Sequence, residues 1–429
     1  MDQRPESLLI TGVRVFDGLG DAAEPGAVLV EGDRIAATGA EARERAPERA
    51  EVLDGGGRVL LPGLTDAHVH LVALGTEPAG LATASAGLPH LRALEAARRM
   101  LLRGFTAVRD MGGDVAAVKQ VIDEGLFPGP RLYPSQAALS QTSGHGDFGA
   151  VHEPPVALGG APSRAEEIGF MRVVDGPDRV LAGAREQLKK GASQLKVMAG
   201  GGVASRYDPL GTLQFTPEEL RAAVRAAEDF GTYVAAHVYG SAGVRRALEA
   251  GVRCIEHGQL ADERTIGMLA EHDAWLSTQP FDVDDHHYPT PELAAKNTMV
   301  CDGVERTLHR AREHGVRLAF GTDLLAPAEA HRQGAMLARL SRWLSPVEAL
   351  RIATSGNAAL FRMAGERDPY QQVIDGHPTA PLGVIRPGAL ADLLVVEGDP
   401  TRDLGVLADP AANLALVVKG GRIWKNSLD

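Results

Sequence analysis

The alternation of strand-like and helix-like segments constrains the fold of this 429-residue chain more than any other sequence feature. Short apolar runs typical of strands alternate with amphipathic stretches typical of helices. The predicted strands are 58–64, 105–110, 131–135, 194–198, 233–237, 252–256, 274–279 and 317–322. The predicted helices are 90–103, 114–124, 178–190, 217–230, 241–250, 263–272, 303–314 and 346–360. This α/β pattern predicts a (β/α)8 TIM barrel. A doubly wound open sheet, which also alternates strands and helices, is the alternative.

Both ends of the chain differ from this middle part. Strand-like runs that flank tight turns lie at 8–15, 27–36, 391–397 and 414–424. Neither end alone holds enough strands for a stable sheet, so we expect the two ends to combine. We predict a small β-sandwich domain built from both termini. Its N-terminal part is residues 1–60, the barrel is 61–364, and a linker and the C-terminal part of the sandwich fill 365–429.

Composition excludes several classes of function. Asp and Glu outnumber Lys and Arg by 56 to 44, and this acidic balance disfavours nucleic acid as a partner. The two cysteines, Cys254 and Cys301, are too few for a disulfide framework or a thiolate zinc site. The N-terminus lacks the apolar run of a signal peptide, and no apolar run is long enough for a membrane span. We expect a cytoplasmic homo-oligomer that acts on a small molecule.

The first chemical signal is His68-Val69-His70, which comes shortly after the apolar run 59–64. In an extended segment, residues two apart face the same side, so both imidazoles point together. Imidazole is a ligand for zinc and similar ions. An isolated His-x-His is also compatible with two ordinary surface or core histidines.

Four more polar residues end apolar strands: Lys196, His237, His257 and Asp323. Each has a structural explanation, because a lysine can extend its ammonium to solvent, a histidine can be hydrogen-bonded in a core, and an aspartate can cap a helix. In a TIM barrel, however, all four would lie at the same end, where catalytic groups sit. Their coincidence therefore favours a functional site.

The sequence resembles a known family over nearly its whole length. The segments LPGLTDAHVH at 61–70 and PGALADL at 387–393 resemble motifs of the amidohydrolase superfamily. The most similar branch is the prolidase-like and imidazolonepropionase-like one, which includes Xaa-Pro dipeptidases and ochratoxin-degrading amidohydrolases.

This resemblance implies a cofactor of two divalent metal ions. By resemblance, His68 and His70 bind the more buried ion together with Asp323, and His237 and His257 bind the second. Lys196 would be carboxylated by CO₂ and bridge both ions, which would explain a lysine inside an apolar strand. Zinc is the first expectation, although these ligands also suit Mn, Co or Fe.

The resemblance also implies the reaction. A hydroxide that bridges the metals would attack the amide bond of a dipeptide or N-acyl amino acid with a free C-terminal carboxylate, and Asp323 would act as general acid and base. This is a dipeptidase-like or carboxypeptidase-like activity that can extend to ochratoxin-type amides.

Three further residues are candidates for substrate contacts. His145, in a loop after the third strand, is expected to bind the substrate and to polarise the scissile carbonyl, with an ordinary loop histidine as the alternative. Tyr239 shares a face with His237 and is expected to contact the substrate, unless it is a packed aromatic. Arg206 is expected to meet the substrate carboxylate, with a solvated loop residue as the alternative. The polar stretch 282–287 is interpreted as a solvated loop that rims the site.

Two other functions compete with this hypothesis. A mononuclear cyclic-amide hydrolase or deaminase of the same superfamily generally lacks the fourth-strand lysine, so Lys196 disfavours it. A non-catalytic scaffold that has lost its metals is disfavoured because all six ligand positions carry competent side chains. The sequence leaves open the acyl group, the amino acid and the metal.

Overall fold

The computed structural model describes residues 5–205, 207–286, 288, 290–371, 373–374 and 377–428. The strands are β1 (Ser7–Val15), β2 (Glu24–Glu31), β3 (Arg34–Thr38), β4 (Glu51–Asp54), β5 (Val59–Pro62), β6 (Leu64–Val69), β7 (Phe105–Asp110), β8 (Arg131–Pro134), β9 (Ala138–Ser140), β10 (Met171–Val173), β11 (Leu195–Met198), β12 (Val234–Gly240), β13 (Cys254–Leu260), β14 (Trp275–Thr278), β15 (Arg317–Phe320), β16 (Val373–Ile374), β17 (His377–Pro378), β18 (Leu393–Val396), β19 (Leu414–Lys419) and β20 (Arg422–Asn426).

The α-helices are α1 (Gly39–Arg45), α2 (Leu71–Gly75), α3 (Pro78–Leu81), α4 (Leu88–Leu102), α5 (Ala116–Asp123), α6 (Arg164–Ile168), α7 (Pro177–Lys189), α8 (Pro217–Asp229), α9 (Ser241–Glu249), α10 (Glu263–Glu271), α11 (Pro291–Cys301), α12 (Val304–Glu313), α13 (Gln333–Arg339), α14 (Pro346–Arg351), α15 (Asn357–Phe361) and α16 (Pro410–Asn413). Short 3₁₀ segments lie at Val156–Leu158, Ala330–Arg332, Leu340–Arg342, Arg362–Arg367 and Leu404–Ala408. None of the helices in the described ranges is long and apolar enough to cross a membrane.

The middle of the chain forms two parallel sheets whose edges adjoin. One sheet has the order β6-β7-β8 and the other β10-β9-β11-β12-β13-β14-β15. At one junction, the Asn357 side chain donates to the carbonyls of Thr65 in β6 and Phe320 in β15, at 3.2 and 2.8 Å. At the other, the Gln194 side chain donates to the Tyr133 carbonyl in β8 at 2.9 Å. Side-chain amides therefore link β6 to β15 and β8 to the start of β11.

The prediction that residues 58–64 form the first strand of this parallel arrangement is wrong. β5 pairs with β1 and β18, whereas β6 is the strand that pairs with β7. The chain passes from one sheet to the other at Gly63, where a Cβ would lie 2.0 Å from the Thr106 hydroxyl. The apolar run gave no sign of this break, because buried strands are apolar on both faces in either sheet. His68 consequently lies within β6 rather than after the predicted strand.

Strands from both ends of the chain form one sheet, as expected. Its order is β20-β19-β18-β5-β1-β2-β3, with β4 paired to β1. One face buries aliphatic side chains from both termini, including Leu8, Ile10, Val28, Leu393 and Leu416. Burial of this face joins two segments that lie at opposite ends of the sequence.

Helix boundaries follow local capping signals where these are present. Thr216 and Glu219 form a capping box at the start of α8, with hydrogen bonds of 3.3 and 2.7 Å. The helix predicted at 346–360 instead divides into α14 and α15 around a π turn at Ile352–Gly356. The short 3₁₀ and π segments have no comparable sequence signal.

Candidate active site

Polar side chains from the carboxyl ends of the parallel strands meet in one cavity. All six predicted metal ligands line it, and so do two of the three predicted substrate contacts; the eight residues are His68, His70, His145, Lys196, His237, Tyr239, His257 and Asp323. The third contact, Arg206, lies outside the described residues.

His68, His70 and Asp323 form the tightest group. The Nε2 atoms of the two histidines are 3.2 Å apart. Oδ1 of Asp323 lies 3.4 Å from Nε2 of His68 and 3.2 Å from Nε2 of His70. Ligand atoms of His68, His257 and Asp323 also fall within 4.8 Å of one another. This spacing allows several of the side chains to share a cation.

Hydrogen bonds on the far side of each ring determine which nitrogen faces this group. Nδ1 of His68 is 2.8 Å from Oε2 of Glu256, and Nδ1 of His70 is 3.2 Å from the Gly112 carbonyl. Both partners are acceptors, so each Nδ1 carries the proton. The two Nε2 atoms and a carboxylate oxygen face one another, and a bound cation suits such a set of groups.

The rings of His237 and His257 are also held by a protein acceptor at one nitrogen. Nε2 of His237 is 3.2 Å from the Gly201 carbonyl, and Nδ1 of His257 is 2.7 Å from Oε1 of Gln279. Their ring centres are 4.5 Å apart in an edge-to-face arrangement. One nitrogen of each ring therefore remains available for a ligand or a cation.

Burial keeps the imidazoles of His68, His237 and His257 neutral at neutral pH. Desolvation lowers the pKa of His68 to about 4 and that of His257 to about 3, and it holds the pKa of His237 well below its ordinary value. A metal competes with protons for the ring nitrogen, so a neutral histidine is the form that binds it.

Lys196 lies in β11 with its side chain fully enclosed. Its Nζ is 3.5 Å from Nε2 of His68. Burial lowers the pKa of the Lys196 ammonium, which favours the neutral amine. A neutral amine beside histidines and a carboxylate has the nucleophilic form required to react with CO₂.

Backbone strain is concentrated at two of these positions. His257 and Asp323 have φ values of 77° and 50°, in the left-handed region that non-glycine residues seldom adopt. The Asp323 N–H donates to the His68 carbonyl at 2.7 Å, which fixes this conformation. Such strain is often found at functional sites, where it aims a side chain that regular geometry would turn away.

His145 reaches the site from the long loop after β9. Its ring stacks on that of His237, with centres 4.2 Å apart and planes inclined by 13°. Nδ1 lies 3.2 Å from the Ser205 hydroxyl, and the backbone N–H donates to Gln214 at 2.9 Å. A Cβ on Gly202 would lie 1.9 Å from the His145 ring, so glycine is required there for the loop to pack.

Tyr239 is buried beside the histidines, on the face that the strand pattern predicted. Its ring centre is 4.9 Å from that of His257 and 5.1 Å from that of His237. The residue both packs against histidines and lines the cavity. Its surroundings are therefore compatible with a contact to substrate.

The interpretation of 282–287 as a solvated loop is wrong for two of its residues. Asp285 is 3% exposed and forms two ion-pair contacts with Arg339, which offset the cost of burying its charge. His286 lines the cavity with its Nδ1 3.2 Å from Oε1 of Glu329. His287 lies outside the described residues.

The sequence analysis missed an ion pair beneath the cavity, between Arg109 in β7 and Glu256 in β13. Both side chains are fully buried, and Nη2 of Arg109 donates to Oε1 of Glu256 at 2.6 Å. Burial would raise the pKa of Glu256, but the guanidinium holds that pKa well below its usual range. The signal available in the sequence was the presence of two opposite charges, Arg109 and Glu256, each within an apolar strand.

Comparisons with known proteins agree with this geometry. The sequence pattern of the amidohydrolase family matches residues 59–367. Ochratoxinase of Aspergillus niger is 32% identical over 360 residues, which cover 78% of this chain and 69% of that protein.

Two solved structures extend the similarity to the fold. One is a prolidase complexed with N-methylphosphonate-L-proline, with a TM-score of 0.86, 35% identity, and coverage of 98% of this chain and 100% of that one. The other is a Xaa-Pro dipeptidase with bound methionine, with a TM-score of 0.81, 27% identity, and coverage of 98% and 100%. The chain therefore belongs to the amidohydrolase family, has its TIM-barrel type of fold, and is a hydrolase that acts on amide bonds.

Proposed function

We propose that this enzyme is a binuclear metal-dependent amidohydrolase that cleaves a dipeptide or N-acyl amino acid with a free C-terminal carboxylate. The observation that carries the proposal is the convergence of four histidines, Asp323 and Lys196 on one cavity. Similarity to a prolidase, a Xaa-Pro dipeptidase and an ochratoxinase supports this substrate class.

The donor set fits two divalent cations. His68, His70 and Asp323 would hold one ion, and His237 and His257 the other. Each histidine has one nitrogen engaged by a protein acceptor and the other free, which is the usual arrangement of a metal-binding imidazole. When bound, the ions would lower the pKa of a water molecule and polarise the scissile carbonyl. Zinc is our first choice, because imidazole and carboxylate ligands suit it.

Carboxylation of Lys196 would complete the site. A bond forms between Nζ and the carbon of CO₂, and the amine loses a proton to water. The product is an anionic carbamate whose two oxygens could bridge a pair of cations. Support comes from the enclosure of Lys196 at 3.5 Å from His68, where a free ammonium would be costly.

Asp323 is the proposed general base and general acid. It would accept a proton from the attacking water and later deliver that proton to the leaving amine. Its backbone is fixed by the hydrogen bond to His68, so the carboxylate needs no rearrangement before reaction. His145 would donate to the carbonyl oxygen as negative charge develops there.

The substrate would lie in the same cavity. Apolar side chains also line it, among them Phe148, Phe170, Val203 and Phe281. Tyr239 would hold the free carboxylate or assist at the scissile carbonyl, and Arg206 stays a prediction for the carboxylate. An apolar cavity with few polar groups binds a small amide by shape and orients it by those groups.

We further propose that the parallel strands close into a (β/α)8 barrel that ends at residue 364. It begins at β6 rather than at the predicted residue 61, because Leu61 and Pro62 pair with β18 in the sheet formed by the termini. Residues 1–62 and 365–429 would form the accompanying β-sandwich domain. Shared side-chain hydrogen bonds at both sheet junctions and the sheet formed by the two termini support this division. The homo-oligomer and the cytoplasmic location stay predictions.

A library of dipeptides and N-acyl amino acids, screened with enzyme loaded with defined metals, tests the proposed function. Each compound should be offered with a free and with an amidated C-terminus. We expect hydrolysis only of free-carboxylate substrates, and only in the metal-loaded enzyme. Hydrolysis of cyclic amides or deamination with one bound metal would instead support the mononuclear alternative. Absence of bound metal and of hydrolysis would support the scaffold alternative.

A further inference from the structure

We propose that Glu256, held in place by Arg109, is a positioning residue that fixes the proton of His68 on Nδ1. Nothing in the metal chemistry proposed above requires either residue as a ligand. The part of this inference that concerns metal affinity rests on the proposed function, whereas the position of the proton is a property of the metal-free protein.

The carboxylate of Glu256 is shared among three partners. Oε2 is 2.8 Å from Nδ1 of His68, and Oε1 accepts from Nη2 of Arg109 at 2.6 Å and from the Cys254 thiol at 3.1 Å. Glu256, Arg109 and the His68 side chain are almost completely shielded from solvent. In such surroundings a charge-assisted hydrogen bond is short and strongly favoured.

Arg109 is itself immobilised by the strands on either side. Its Nε donates to the Ala67 carbonyl at 2.7 Å, and its Nη1 donates to the Tyr233 hydroxyl at 2.9 Å. Ala67 directly precedes His68, so one guanidinium fixes both the strand that carries the histidine and the carboxylate that orients it. Arginine suits this role because its planar group presents several donors in a fixed geometry.

A substitution of Glu256 by glutamine should therefore reverse the His68 tautomer. Arg109 has only donors, so the single amide oxygen of the new side chain must face the guanidinium. The amide NH₂ would then face Nδ1 of His68, which would have to accept a hydrogen bond. The proton would move to Nε2, the atom that faces His70 and Asp323.

The test is a long-range ¹H–¹⁵N NMR spectrum of the histidine rings in metal-free protein, with the His68 signal assigned by its loss in His68→Asn. The unsubstituted enzyme should show His68 protonated on Nδ1, and Glu256→Gln should show it protonated on Nε2. The same tautomer in both proteins, with the fold intact, would overturn the proposal.

Asp392→Asn is a matched control, because it also removes a buried carboxylate that faces an arginine. Asp392 accepts from Arg131 at 3.0 and 3.1 Å and does not line the cavity. This variant can lower the unfolding temperature, yet it should leave the His68 signal unchanged.

If Glu256→Gln does not fold, the double variant Arg109→Met, Glu256→Leu is the alternative test. It removes both buried charges together, an exchange that proteins tolerate better than a single unpaired charge. It should show a mixture of His68 tautomers, and a pure Nδ1–H form would overturn the proposal.

A competition titration with a chromophoric zinc chelator adds a readout independent of turnover. We expect Glu256→Gln to weaken zinc binding about 10- to 100-fold, as is usual when the partner of a metal-binding histidine is lost. Asp392→Asn should bind zinc like the unsubstituted enzyme. Unchanged affinity in Glu256→Gln would contradict the positioning role. Failure of the unsubstituted enzyme to bind zinc would contradict the proposed function, while the NMR result would still decide the tautomer.

Discussion

Asp323 and His68 are joined at two points: the Asp323 N–H donates to the His68 carbonyl at 2.7 Å, and Asp323 Oδ1 lies 3.4 Å from His68 Nε2. The backbone contact connects the end of β6 to the turn that follows β15. The side-chain contact then occurs at a distance set by the backbone. The chain thus places a carboxylate and an imidazole together although 255 positions separate them in sequence (323 − 68 = 255).

Replacement of Asp323 by asparagine should abolish most hydrolysis without unfolding the enzyme. The amide keeps the shape of the side chain but cannot accept a proton from water, and loss of a general base typically costs about 10²- to 10⁴-fold in rate. Steady-state kinetics and thermal unfolding measure both effects, with the exposed Asp178→Asn as control. Turnover equal to that of the unsubstituted enzyme would assign the base to another residue.

Metal content should approach two divalent ions per chain in enzyme purified with zinc and bicarbonate. Six side chains suited to cations line the cavity, and the Nε2 atoms of His68 and His70 face the Asp323 carboxylate. Elemental analysis against protein concentration gives the ratio. A reproducible value near one would contradict the binuclear proposal.

Replacement of Lys196 by alanine should remove the bridge and greatly reduce activity, because two cations would then repel each other without an anion between them. Short carboxylic acids should restore part of the activity by filling the vacated space. The exposed Lys189→Ala serves as control. Full activity and full metal content in Lys196→Ala would rule out the carbamate.

Tyr239→Phe should lower kcat/KM about 10- to 150-fold, since a hydrogen bond to a charged group contributes about 1.5–3 kcal/mol. Amidation of the substrate carboxylate should harm the unsubstituted enzyme more than the variant. Tyr288→Phe, which alters another tyrosine of the same cavity, is the control. Equal losses from amidation in both enzymes would mean that the carboxylate binds elsewhere.

Lys419, which does not line the cavity, should make the stability of the protein depend on pH. Burial, with a further contribution from Arg131, lowers the pKa of this ammonium to about 7, while the unfolded value stays near 10.5. Between these values the unfolded chain binds the extra proton, so stability rises with pH. The free energy of unfolding should therefore increase relative to Lys419→Met by up to about 1 kcal/mol per pH unit from pH 7 to 10. Urea unfolding at several pH values measures this, with Lys189→Met as control; a difference that does not vary with pH would contradict it.

The sequence by itself predicted the alternation of strands and helices, the association of strands from both termini, and eight of the residues that line the cavity. Polar residues at the ends of apolar strands are a local signal, because strand geometry fixes which side chains share a face. Tyr239 followed from the same periodicity. For Lys196, the signal was the energetic penalty expected of a charge inside an apolar strand.

Only the tertiary structure decided how these residues are supported. The apolar run 58–64 could not reveal that the chain changes sheets at Gly63, because buried strands of either sheet are apolar on both faces. The close approach of the Thr106 side chain to Gly63 exists only in the folded chain. The pairing of Arg109 with Glu256 and of Asp285 with Arg339 joins residues far apart in the chain. Local pattern specifies the face on which a side chain lies, whereas its partner, and hence its protonation and orientation, depends on which other strands and helices pack beside it.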